Sequence, residues 1–185
     1  MMRNRESVLI QRDVIADLVP YGTPVELKEG SWAEITQALG TSFTLLVDGQ
    51  LVRLSGSDAD AIGKETPLSA ALSASADASD EEVERLIWEA LRTCYDPEIP
   101  INVVDLGLIY RCVMEPFAEE EGKLAVTIDM TLTAPGCGMG EVIANEINEK
   151  VLDLPRIEEC TVNVVFDPPW DRSMMTEEAL LALGM

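Results

Sequence analysis

Histidine is missing altogether from this chain of 185 residues. Positive charge is scarce: 13 Lys and Arg stand against 34 Asp and Glu, a formal net charge of −21 at pH 7. Each absence removes a class of function. Without histidine there is no Ser-His-Asp or Cys-His hydrolytic arrangement, and no structural zinc site of the usual Cys/His spacing. The deficit of Lys and Arg argues against nucleic acid, whose phosphate backbone needs clustered positive charge, and against an anionic membrane surface. The four cysteines, at 94, 112, 137 and 160, form no CxxC pair. No run approaches the ~20 apolar residues of a membrane span. Arg3, Arg5, Glu6, Arg12, Asp13 and Asp17 interrupt the apolar residues of the first stretch, so no secretory signal is expected. The expectation is a cytoplasmic protein with free thiols. The acidic excess reads first as solubility by self-repulsion, with a surface that meets basic partners or metal cations as the alternative.

Hydrophobic residues make up 47% of the chain, enough for a packed core. Three segments are expected: a β-rich unit over 1–66, an Ala/Ser-rich linker over 67–79, and a second domain over 80–185. In the first unit, Val25 and Leu27 alternate in Thr23–Lys28. Phe43–Val47 and Leu51–Leu54 flank Asp48-Gly49, a hairpin turn signal. Glu34–Leu39 reads as one or two helical turns. The unit predicts a small barrel or sheet with no catalytic constellation, a docking or oligomerisation module.

The second domain is more legible. Ser79 and Glu82 form a capping box, after which Val83, Leu86, Ile87, Ala90, Leu91 and Cys94 recur at helical spacing. Asp96-Pro97 is the expected stop. Strands are expected near Leu108–Met114 and Leu124–Leu132, joined by an acidic loop as an antiparallel hairpin. A helix near Met139–Leu152 and a strand at Cys160–Phe166 follow, and then a short helix capped by Thr176. The fold class is therefore α+β: an α-β-β-α-β domain with a small mixed sheet and helices on one face, preceded by the β-rich unit.

Three loops concentrate unusual residues: Asp96-Pro97-Glu98-Ile99-Pro100, then Thr133-Ala134-Pro135-Gly136-Cys137-Gly138-Met139-Gly140, then Asp167-Pro168-Pro169-Trp170. Loops at strand ends are where sites gather. Cys137 lies between two glycines where a strand gives way to a helix. There a thiolate would meet unpaired amides and the positive end of the helix dipole, which lowers a thiol pKa and favours metal ligation. Gly136 and Gly138 permit close approach by a cluster or a partner. A small buried cysteine in a tight turn explains the same residues, and the local pattern leaves both readings standing. Cys94, Cys112 and Cys160 sit in apolar patterns that predict core packing. Asp96 and Glu98 read as turn chemistry or as a carboxylate pair lining the site. Asp105 caps a loop or shapes the site, and Trp170 packs as a rigid lid.

These segments resemble a known family, the metal–sulfur cluster biosynthesis domain shared by SufT and the PaaD-like proteins. The matching stretches are Asp96 to Tyr110, Thr131–Gly140 and Asp167-Pro168-Pro169-Trp170, spanning most of 80–185, and the N-terminal extension is similar to the SufT branch. Many relatives have proline directly after the cysteine; here Gly138 follows. The resemblance implies assembly or delivery of iron–sulfur clusters, not catalysis, with Cys137 as the functional cysteine and transient iron ligand. Asp96, Glu98, Asp105, Thr133, Gly136, Gly138 and Trp170 would line the site. The implied partners are an iron–sulfur scaffold and client apoproteins, with a homodimer as one way to share a cluster. One thiolate per chain is short of the usual four cluster ligands, so the chain is expected to carry a cluster transiently or to act as an adaptor. The rival readings are an accessory subunit of a multicomponent oxygenase, a thiol enzyme and an acidic interaction module.

Overall fold

The computed structural model describes residues 6–39, 41–65, 77–96, 99–136 and 138–184. Six short strands occupy the first third of the chain: β1 (Glu6–Leu9), β2 (Val14–Leu18), β3 (Thr23–Leu27), β4 (Trp32–Leu39), β5 (Ser42–Val47) and β6 (Gln50–Ser55). They form one antiparallel sheet in the order β1-β4-β5-β6-β2-β3. Alternate side chains such as Val14, Ala16, Phe43, Leu45 and Leu54 fill its core, as period-two patterning requires. Asp48-Gly49 turns β5 into β6 with Val47 opposite Gln50. Both turn residues have positive φ, 49° and 83°, as a two-residue hairpin of the favoured hand demands.

One expectation is overturned here. Glu34–Leu39 is not helical; it forms the last six residues of β4. The register shifts between Ile35 and Gln37, a bulge opposite β5. An extra residue in a strand breaks the alternation, so Ile35, Ala38 and Leu39 fall at i, i+3 and i+4 and imitate a helix face.

The second half holds α1 (Asp80–Arg92), β7 (Ile109–Pro116), β8 (Leu124–Met130), α2 (Gly140–Leu152), β9 (Ile157–Val164) and α3 (Glu177–Ala182). The sheet order is β7-β8-β9, antiparallel on one side of β8 and parallel on the other. This is the mixed sheet expected of an α-β-β-α-β domain. Leu124, Val126, Ile128 and Met130 of the central strand join Val83, Leu86, Ile87 and Leu91 of α1 and Ile143, Ile147 and Val151 of α2 in one core. Ser79 caps α1, its Oγ accepting from the Glu82 amide at 3.3 Å. The helix stops at Arg92, earlier than Asp96-Pro97 had implied. Thr93 Oγ1 donates to the Ala90 carbonyl at 2.6 Å, and the chain turns into a bridge between Tyr95 and Asn102. Residues 67–76 of the expected linker lie outside the described residues. Its last members are structured: Ala78 is buried in the second core and its carbonyl accepts from Arg156 Nη1 at 2.7 Å.

The two halves are joined by more than the chain. Val19, just after β2, is buried in the core of the second half. Arg53 of β6, 4% exposed, pairs with Glu146 of α2 and donates to the Tyr95 carbonyl at 3.3 Å. Lys150 extends the cluster, meeting Glu146 Oε1 at 2.7 Å, Thr93 Oγ1 at 2.9 Å and Cys94 Sγ at 3.5 Å.

Candidate functional site

The segment that follows the first loop meets the third loop beside the small sheet, Leu106 and Tyr110 bonding to Trp170 and Pro168. Asp96 performs the turn role: its Oδ1 accepts from the Ile99 amide at 2.9 Å, and its side chain is buried. Pro97 and Glu98 lie outside the described residues. Asn102, which sequence reasoning passed over, organises the stretch from Val103 to Asp105. Its Oδ1 accepts from the amides of Val104 and Asp105 at 3.1 and 2.9 Å, and its Nδ2 donates to Asp105 Oδ2 at 2.7 Å. Asn102 is therefore the residue that caps this loop, and Asp105 serves as its anchor. An Asx turn of this kind has a readable signal, an Asn two and three residues before the amides it must satisfy.

Trp170 closes over the loop as expected. Its indole Nε1 donates to the Leu106 carbonyl at 2.7 Å, and its ring packs on the core. Tyr110 OH donates to the Pro168 carbonyl at 2.9 Å, and the Thr176 amide donates to the Asp105 carbonyl at 2.9 Å. Gly107, with φ of 71°, would place a Cβ 2.1 Å from the Met174 carbonyl oxygen, so only glycine lets these two segments approach. The stretch from Asp105 to Tyr110, which follows the first loop, is thus stitched to the third loop and its continuation to Thr176. The Thr131 amide, two residues before the second loop, donates to the Leu108 carbonyl at 2.8 Å.

Cys137 itself lies outside the described residues, and its neighbours define the setting. Ala134, Pro135, Gly136 and Gly138 are exposed, and Thr133 is half-buried. Gly136 has φ of 82° with open space around it. α2 begins three residues past the cysteine, at Gly140. Met139 is its N-cap and makes no side-chain hydrogen bond to the first turn, whereas Ser79 and Thr176 cap α1 and α3 with their hydroxyls. First-turn amides of α2 are therefore left without a side-chain acceptor from the cap. The Thr131 hydroxyl, buried at 1% exposure, has no hydrogen-bond partner among the described residues.

Gly138 faces the other half of the molecule. A Cβ on it would lie 1.8 Å from the Tyr21 carbonyl oxygen, and a Cβ on Gly22 would lie 2.1 Å from the Gly138 carbonyl oxygen. The β2–β3 turn is thus seated on the backbone that leads into α2.

The remaining cysteines are poor metal ligands. Burial pushes the Cys94 thiol up to about 12, reinforced by the Glu146 carboxylate and opposed by Lys150. Burial likewise raises Cys112 and Cys160 to about 11. At neutral pH all three are protonated thiols. Among the described residues no three Cys, Asp or Glu side chains gather as a metal-binding group, and no helix is long and apolar enough to cross a membrane.

Residues 84–164 match the family model described as "Iron-sulfur cluster assembly protein". An Fe-S protein maturation auxiliary factor of Porphyromonas gingivalis is 41% identical over 103 residues, 56% of this chain and 92% of that protein. The auxiliary factor SufT of Staphylococcus aureus is 40% identical, over 49% of this chain and 96% of its own length. YitW of Bacillus subtilis, another Fe-S protein maturation auxiliary factor, is 36% identical over 57% of this chain and 98% of its own. The matched relatives are therefore nearly whole, and each corresponds to about half of this molecule. With these relatives matched over more than nine-tenths of their own length, the chain belongs to the iron–sulfur cluster assembly protein family.

Proposed function

We propose that this protein matures iron–sulfur client proteins through Cys137, as a transient carrier of the cluster or as an adaptor that brings scaffold and client together. The observation that carries the reading is the contrast between thiols. Three of the four cysteines are held protonated by burial. The fourth belongs to a loop whose described neighbours are exposed and which leads to a helix start without a side-chain cap. A helix N-terminus favours the thiolate, the form that binds iron. The cluster is cargo. One thiolate ligates it weakly, and weak ligation suits a factor that must let go. The relatives carry the name of auxiliary factors, and a non-catalytic role follows that lead. Residues 80–185 are the cluster-handling domain of this reading. Asp96, Glu98, Asp105, Thr133, Gly136, Gly138 and Trp170 are the residues this reading assigns to the lining of its site.

Anaerobic reconstitution with ferrous iron and sulfide separates the two forms. Visible absorbance that disappears in Cys137→Ala supports the carrier. No absorbance in the wild-type protein, with client maturation still dependent on Cys137, supports the adaptor. Absorbance of equal intensity in Cys137→Ala refutes ligation by this residue.

A further inference from the structure

We propose that the cleft between Trp32 and the β5–β6 turn is a docking site for an arginine side chain of a partner polypeptide. It lies in the N-terminal sheet, outside the matched residues 84–164, and stands whether or not Cys137 ligates iron.

The outer face of that sheet is covered over only part of its length. Thr44 and Arg53 are opposite each other on β5 and β6, and their side chains alternate with those of the sheet's own core. Both are buried all the same, and Arg53 meets Glu146 of α2 and the Tyr95 carbonyl. Two residues further along the same strands Leu46 stands opposite Leu51, and there the cover ends: Leu51 is exposed. Beyond them on the same face, Leu9 of β1 is opposite Trp32 of β4, and Trp32 is 69% exposed. A face that is an interface at one end is bare at the other.

Ser7, Trp32, Glu34, Leu46, Asp48 and Gly49 line a cleft of about 340 Å³ at this bare end. Its chemistry selects the occupant. Among the described residues that line it there are two carboxylates and no Lys or Arg. A purely apolar partner would strip water from these acids and return no counter-charge. A second copy of the chain would bring the same acids to the contact, at a net charge of −21 per chain. A cationic side chain suits both kinds of wall, since an indole face and a carboxylate each attract positive charge. Arginine suits them better than lysine: its planar guanidinium stacks on a ring while it bonds a carboxylate through two N–H groups. Asp48 is held for that role. It sits in a tight two-residue turn at φ of 49°, so its carboxylate is carried on a rigid hairpin.

The test titrates an end-blocked glycine–arginine–glycine peptide into the full-length, isotope-labelled protein. The NMR signals followed are the Trp32 indole N–H, assigned by its loss in Trp32→Phe, and the Gly49 amide. Millimolar binding is expected, and the matching citrulline peptide, neutral and of the same shape, should bind about tenfold more weakly. Asp48→Asn removes the charge but keeps a residue that tolerates positive φ; it and Trp32→Ala should each weaken arginine binding, read at Gly49, by about tenfold. No shift at Trp32 with the arginine peptide, equal binding of the two peptides, or unchanged binding in both variants overturns the inference. Self-association in sedimentation that disappears in Trp32→Ala identifies a second copy as the occupant and overturns it as well.

Discussion

The pair formed by Arg53 and Glu146 should behave as a buried ion pair whose two members are unequally replaceable. Their side chains are 5% and 16% exposed. Removing one partner from such a pair typically costs about 3–5 kcal/mol, because a desolvated charge is left behind. In Arg53→Met the orphan is Glu146, which keeps Lys150 Nζ at 2.7 Å and Thr41 Oγ1 at 3.4 Å, so the loss should fall near the lower end, about 3 kcal/mol. In Glu146→Leu the orphan is the guanidinium, left with the Tyr95 carbonyl and the field of Asp17. The loss there should approach about 5 kcal/mol. The double variant removes both charges, and its loss should be smaller than the sum by about 2 kcal/mol or more. Urea unfolding followed by tryptophan fluorescence measures all four corners of this cycle. Losses that add to within about 0.5 kcal/mol would refute the coupling, and with it the claim that this pair bolts the two halves together.

Two further outcomes are expected. Trp170→Phe keeps the ring on the core but deprives the buried Leu106 carbonyl of its donor; stability should fall by about 1–2 kcal/mol in the same unfolding assay. The Cys94 thiol, pushed up to about 12 from 9.0, predicts a loss of stability at alkaline pH. The stabilisation is complete below pH 9.0, where both states hold the proton, and is lost as pH rises toward about 12, because the unfolded thiol ionises first. The slope in that window is about 1.4 kcal/mol per pH unit. Cys94→Ala should flatten it by that amount, and parallel profiles would contradict it.

The second half of the fold was readable because its signals are local and regular. Leu124–Met130 alternates cleanly, Ser79 and Thr176 are capping residues at the expected places, and α2 carries one apolar face. Where the signals failed, a non-local contact had replaced the local rule. The bulge in β4 disguised a strand as a helix. α1 ends early because Thr93 turns its hydroxyl back to Ala90 and the chain then pairs Tyr95 with Asn102. At the site, the roles of Asp96 and Trp170 were legible from proline-flanked turns and a lone large ring. Asn102 was legible in principle from Asx-turn chemistry. The junction was not: nothing within β6 distinguishes Arg53 from an ordinary outward-facing residue, since its partner lies 93 positions away on α2. The seat of Gly138 was not legible either, because the backbone it meets belongs to a turn more than a hundred residues earlier.

The central claim is that one thiol, Cys137, carries the cluster-maturation role. It is tested most directly by the rate at which purified protein restores activity to an apo [4Fe–4S] dehydratase supplied with iron and sulfide, comparing wild type with Cys137→Ala. The account predicts that Cys137→Ala falls to the unassisted rate while Cys94→Ala, Cys112→Ala and Cys160→Ala, variants of one buried and two half-buried thiols, keep most of the assistance. Full assistance from Cys137→Ala would contradict it.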